Sequence, residues 1–150
     1  MTEGEPLICR TTHHVRFAHL SPDRHMNQAV YAEISEQERV RWMAQSGILR
    51  RWRAAGVRQL VARQAITYRH ALRPLQRYTV DTRAVGMDGR LLRFEQHFLV
   101  GEQVCALNEV TLIFASADGA LSPDAAAAIC AEGMTSPLRV VDWRAESFHE

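Results

Sequence analysis

The chain has 150 residues, 47% of them apolar and 23% charged, with a formal net charge of +1. That is the size and balance of one ordinary domain with a proper core, and it argues against wholesale disorder, a membrane-spanning chain or an electrostatic nucleic-acid binder. There is no lysine, so all 18 basic positions are Arg, and Schiff-base and Walker-type lysine chemistry is excluded.

Residues 8–18 are rich in β-branched and aromatic side chains and predict a first strand, with Val15 and Phe17 on one face. Residues 20–26 contain Ser, Pro, Asp and Arg and read as a loop. A helix should start at Asn27, a good N-cap, with Val30, Tyr31, Ile34 and Trp42 as an apolar stripe that Glu38 interrupts. Gly47 is a plausible stop, and residues 48–55 predict a short second helix ending at Gly56. Beyond it, residues 58–70, 78–87, 91–100 and 103–115 show strand-type alternation, with turn signals at Asp88-Gly89 and Gly101-Glu102. Ser122-Pro123-Asp124 has the form of a helix start, and an Ala-rich helix should run to Gly133. Residues 135–150 show no clear periodicity and read as a docked or mobile tail.

There is no repeat and no inter-domain linker. The expectation is a single α+β domain over residues 1–150, with its core in residues 8–115 and a C-terminal helix at 122–133, in which a long helix packs across a curved antiparallel sheet of about five strands. The first eight residues lack a signal-peptide pattern and no apolar run reaches a membrane span, so a soluble, cytoplasmic protein is expected. Cys9, Cys105 and Cys130 are far apart and form no CxxC, which suggests small buried hydrophobes rather than a disulfide or zinc site. His13, His14, His19 and His25 make neither an HxH pair nor an HExxH helix, and no metal site is expected.

The most informative stretch is Val15-Arg16-Phe17-Ala18-His19-Leu20-Ser21-Pro22-Asp23-Arg24-His25-Met26-Asn27-Gln28-Ala29-Val30-Tyr31. It resembles the signature of the hot-dog acyl-CoA thioesterases of the 4-hydroxybenzoyl-CoA and plant acyl-carrier-protein types. In these, a Val-Arg-aromatic strand leads into an Asp-rich loop, then His-hydrophobic-Asn-Asn, and a Tyr four residues beyond the first Asn. His25, Met26, Asn27 and Tyr31 match in place, and Glu36 and Arg39 match a common feature of the central helix. Ser46-Gly47-Ile48-Leu49 is similar to a segment of the branch called thioesterase superfamily member 6. The resemblance spans roughly residues 12–115.

It implies a hot-dog fold, a homodimer or homotetramer with sites at the interface, and hydrolysis of an acyl-CoA or acyl-carrier-protein thioester. CoA or phosphopantetheine enters as part of the substrate, with no separate cofactor. One position departs from the pattern: the loop Asp four residues before His25, the catalytic carboxylate of many members, is Ser21, and the nearest acid is Asp23. Asp23 in the catalytic role, a different hydrolytic route, or a non-catalytic acyl-thioester-binding or scaffold protein all stay open. A hydratase or dehydratase on the same fold would carry other signatures, which are absent.

The chemistry can also be read from the residues. Thioester cleavage needs an activated water or carboxylate and a stabiliser for the oxyanion. Asp23 and His25 are candidates for the first, set against a turn-forming Asp and a packing His. The helix N-terminus, with N–H groups from Gln28 to Tyr31, is the candidate for the second. Asn27 reads as cap or water holder and Tyr31 as core or site. Ser21 is at most a weak substrate contact. Glu38 reads as an ion-pair partner of Arg41 or a second acid. Arg50, Arg51 and Arg53, with Arg58 near by, form the densest basic patch, a solvated face or a place for CoA phosphates or an acidic carrier.

Overall fold

The computed structural model describes residues 8–134 and 140–143. In chain order the elements are β1 (Ile8–His14), a 3-10 turn (Phe17–His19), α1 (Gln28–Ser46), α2 (Ile48–Ala54), β2 (Arg58–Tyr68), β3 (Arg77–Asp88), β4 (Leu91–Val100), β5 (Gln103–Ser116), β6 (Gly119–Ala120), α3 (Pro123–Met134) and β7 (Val140–Trp143). The sheet order is β2-β5-β4-β3-β1-β7, with the two-residue β6 beside β5. All pairs are antiparallel except β7, which runs parallel to β1. The five long strands curve around α1 as the sequence led one to expect.

The period-two pattern gives β3, β4 and β5 each one buried, largely apolar face. Tyr78, Val80 and Ala84 of β3, Leu92, Phe94 and Phe98 of β4, and Val110, Leu112 and Phe114 of β5 are buried. Asn27 caps α1 by accepting the Ala29 N–H at 2.9 Å, and Gly47 ends it at φ 80°, a left-handed geometry that costs a glycine little.

The core has two apolar halves. One gathers Trp42, Trp52, Phe94 and Phe114 at the C-terminal end of α1, and the other Tyr31, Leu72, Tyr78 and Phe98 at its N-terminal end. Between them runs a layer of buried polar residues, because Thr82 separates Val80 from Ala84, Gln96 separates Phe94 from Phe98, and Asn108 separates Ala106 from Val110. From the helix Ser35, Glu38 and Arg39 enter the same layer. It is hydrogen-bonded: Arg39 donates to Gln96 at 3.0 Å, and the Gln96 amide donates to the Ser35 carbonyl at 2.8 Å and Thr82 Oγ1 at 3.1 Å. Burial lowers the Arg39 pKa, and the Glu36 carboxylate works against that lowering.

Three sequence expectations need correction. The first strand ends at His14, paired with Arg77 at the start of β3, so beyond it no strand remains to pair with. Val15 bonds the connection before β3 (its N–H to Gln76 O at 2.9 Å, its O from Leu75 N–H at 3.0 Å), and Phe17, 66% exposed, does not share Val15's buried face. Residues 140–143, read as tail, form β7 along the edge of β1. Four residues are too short to show a period, and only pairing identifies them. The remaining tail residues lie outside those described. Glu38 does not break the helix's buried face. It is 1% exposed and lies between Arg41 Nε at 2.9 Å and His13 Nε2 at 3.2 Å, so the ion-pair reading holds.

Cys9, Cys105 and Cys130 are buried thiols, as expected of small hydrophobes. Burial pushes the Cys105 thiol up and the Cys130 thiol up to about 12, which removes both as thiolate nucleophiles near neutral pH.

Candidate active site

Residues 20–26 make a small closed turn rather than an open loop. Leu20 and Met26 bridge each other, the Ser21 N–H bonds the His25 carbonyl at 2.8 Å, and the Arg24 N–H bonds the Ser21 carbonyl at 2.9 Å. Arg24 has φ 65°, a left-handed conformation uncommon for a non-glycine residue. The turn is tied down at its far end, since Met26 N–H bonds Leu72 O at 2.9 Å and Asn27 N–H bonds His19 O at 2.7 Å. Asp23 and His25 are thereby held on a fixed backbone at the entrance to α1.

Their side chains face one another, with His25 Nδ1 3.6 Å from Asp23 Oδ2. Ser21 Oγ donates to Asp23 Oδ1, and the same hydroxyl lies 3.1 Å from the His25 carbonyl. The Asp23 carboxyl is held below its ordinary value, chiefly by the Ser21 hydroxyl, with the nearby His25 adding to it. Asp23 is therefore a carboxylate across the neutral range, as a base or nucleophile must be.

These groups open onto a cleft of about 610 Å³ lined by Ser21, Asp23, His25, Asn27, Gln28 and Tyr31 on one side and by Tyr68, Arg69, His70 and Ala71 on the other. Tyr31 belongs both to the cleft wall and to the core, where it meets Tyr68 edge-on at 5.0 Å and Phe98 at 5.1 Å. Burial pushes its hydroxyl up to about 12 and keeps it neutral. Not all first-turn N–H groups of α1 are free: Ala29 is capped by the Asn27 side chain, and Val30 bonds the Asn27 carbonyl at 3.0 Å. The Gln28 N–H takes no such bond, which narrows the oxyanion candidate to the first residue of the helix.

Ser21, Asp23, His25, Asn27, Gln28 and Tyr31 are thus brought together. Arg50, Arg51 and Arg53 are not. They lie on α2, beyond the far end of the 19-residue α1, which spans about 28 Å. In their place the structure puts Arg69 and His70 on the cleft wall. Sequence reasoning absorbed these two into the end of a strand, and an Arg-His-Ala-Leu-Arg run at a strand-to-loop junction was the available signal. No group of three or more His, Cys, Asp or Glu side chains among the described residues is placed to hold a metal ion.

The family model of the thioesterase-like superfamily matches residues 15–133. The chain belongs to the thioesterase-like superfamily. No protein of curated function matches the sequence significantly. Among solved structures, the probable thioesterase YbaW of Escherichia coli superimposes with a TM-score of 0.77 at 22% identity, over 85% of this chain and 98% of that one. A hypothetical protein of Staphylococcus aureus, solved in complex with CoA, gives 0.73 at 15% identity over 100% of this chain and 98% of that one. The DHNA-CoA thioesterase of Staphylococcus aureus gives 0.70 at 14% identity over 85% and 88%. At these identities the likeness is one of fold: this member of the thioesterase-like superfamily is a hot-dog protein.

Proposed function

We propose that the chain hydrolyses an acyl-CoA thioester at the turn that carries Asp23 and His25. The observation behind this reading is a carboxyl group hydrogen-bonded by Ser21, held beside an imidazole and close to the N-terminus of α1, at one cleft. Asp23 takes a proton from a water as the water oxygen bonds the carbonyl carbon. The charge developing on the carbonyl oxygen meets the Gln28 N–H and the positive end of α1. Collapse of the adduct breaks the carbon–sulfur bond, and the proton held at the Asp23–His25 pair passes to the leaving thiolate. The free acid and thiol result.

The working unit is a homodimer formed through β2. That strand pairs only with β5, and its other edge is free among the described residues. Leu60, Val61 and Tyr68 on it are 48%, 50% and 43% exposed. A long, partly apolar edge is a template for pairing, and isologous pairing of two β2 strands closes it.

Thiol release from a panel of short, long and aromatic acyl-CoAs tests the proposal, with turnover of at least one class expected. A second reading, a non-catalytic acyl-thioester binder, is favoured by Ser21 standing where many relatives carry their acid. Tight binding without turnover on any of the panel would select it.

A further inference from the structure

Among the described residues the two most exposed large apolar side chains are Phe17, at 66%, and Leu75, at 61%. They sit on two segments that hydrogen-bond to one another. The Val15 N–H reaches the Gln76 carbonyl at 2.9 Å, and the Leu75 N–H reaches the Val15 carbonyl at 3.0 Å. Neither side chain lines the cleft, and neither lies on β2. The backbone under Phe17 is closed by the 3-10 turn, with His19 N–H on Arg16 O at 2.9 Å and Leu20 N–H on Phe17 O at 3.2 Å. Leu75 is unfavourable on two counts. It exposes an apolar side chain, and it holds φ 62°, a left-handed conformation that suits Gly or Asn and is rare for a bulky aliphatic residue. The turn itself calls for Gly or Asn at this position. A leucine held out to solvent there is accounted for once its side chain enters an apolar phase outside the fold.

Charge identifies that phase. Residues 8–22 and 69–80, the two segments concerned, contain five Arg and no Asp or Glu, on a chain with 17 acidic residues and a net charge of only +1. Arg10 pairs with Asp81. Arg16, Arg73 and Arg77 are exposed and enter no ion pair among the described residues. Arg16 adjoins Phe17 in the chain, Arg73 and Arg77 flank Leu75, and Arg77 lies opposite His14 in the sheet. Apolar tips among arginines without counter-charges have the composition of an interfacial anchor. The tips enter an acyl layer while the guanidinium groups stay with the headgroup phosphates. A protein partner calls for a broad, shaped contact surface, whereas a fluid acyl layer closes around isolated protruding side chains.

We propose that this end of the molecule docks on an anionic lipid bilayer, with Phe17 and Leu75 entering the acyl region and Arg16, Arg73 and Arg77 meeting the headgroup phosphates. The docking segment is tied to the turn at the cleft, because the Met26 N–H bonds the Leu72 carbonyl at 2.9 Å. Docking therefore sets the mouth of the cleft beside the bilayer. The inference goes beyond the hydrolytic reading and stands or falls without it.

Co-sedimentation with vesicles tests it, using phosphatidylcholine alone and phosphatidylcholine with phosphatidylglycerol in equal parts. The wild type should bind the mixed vesicles, bind phosphatidylcholine about 10-fold more weakly, and lose affinity as salt rises. Phe17→Ser/Leu75→Asn removes both apolar tips and gives position 75 a residue suited to its backbone. This variant should melt with the wild type and bind the mixed vesicles about 100-fold less. Arg16→Gln/Arg77→Gln keeps the tips and should lose about 10-fold, with a flatter salt dependence. A wild type that ignores the mixed vesicles would overturn the proposal, as would equal binding by both variants. A protein that ignores vesicles but changes its size on gel filtration with Phe17→Ser/Leu75→Asn would assign the patch to a contact between copies of the chain instead.

Discussion

Ser21 donates its hydroxyl to the carboxylate of Asp23, two residues further along the same turn. The residue that replaces the expected acid therefore acts on the acid that remains. The hydroxyl holds the Asp23 carboxyl below its ordinary value, and hydrolysis needs that carboxylate ionised, so activity is present above the Asp23 pKa and lost as pH falls through it. Ser21→Ala removes the main cause of the lowering, raises that pKa, and should move the acid limb of kcat/KM to higher pH while activity above neutrality changes little. A pH–rate profile of the two proteins measures this, and an unmoved acid limb would separate Ser21 from the mechanism.

Asn27 closes the other side of the site. Its side chain caps the Ala29 N–H, and Asn27→Ala should cost about 1 kcal/mol of stability in denaturant titration. Asn27→Ser keeps an acceptor and should recover most of that loss. If Asn27→Ser restores stability but not turnover, the residue also touches substrate. If both return together, capping is its whole role.

The polar layer across the core makes a separate prediction about stability. Gln96 satisfies Arg39, the Ser35 carbonyl and Thr82 at once and is fully buried. Gln96→Ala removes a buried partner from each of those groups and should cost about 2–3 kcal/mol, or roughly 5–10 °C in Tm. A variant that melts with the wild type would mean that water replaces the amide fully.

The free edge of β2 predicts the assembly. Leu60→Asp should set like charges near one another in a two-fold pairing of β2 edges and drive the dimer toward monomer, read by light scattering after size exclusion. Dissociation with loss of turnover would tie the site to the dimer. A dimer that survives the charge would place the interface elsewhere.

Much of the fold was legible because its signals are local. The alternation in β3, β4 and β5, the Asn27 cap, the Gly47 stop and the turn at Asp88-Gly89 depend on residues within a few positions of one another. What escaped was set by pairing at a distance. Phe17 is strand-like in sequence, but β3 has ended where it would need a partner. Glu38 looks like an error on an apolar stripe until His13, brought in by β1, and Arg41 are seen beside it. The site divides the same way: Asp23, His25, Asn27, Gln28 and Tyr31 lie within nine residues and were found together, whereas Arg69 and His70 come to the cleft wall from a segment that Leu72 ties to Met26 across the fold.

The central claim, that this turn carries out thioester hydrolysis through Asp23, is tested most directly by comparing thiol release by the wild type and Asp23→Asn on the best acyl-CoA of the panel. Asp23 is exposed and its replacement is isosteric, so the variant should melt with the wild type. Its kcat should fall by about 10²–10⁴, as for loss of a general base. Equal thiol release by the two proteins would contradict the account.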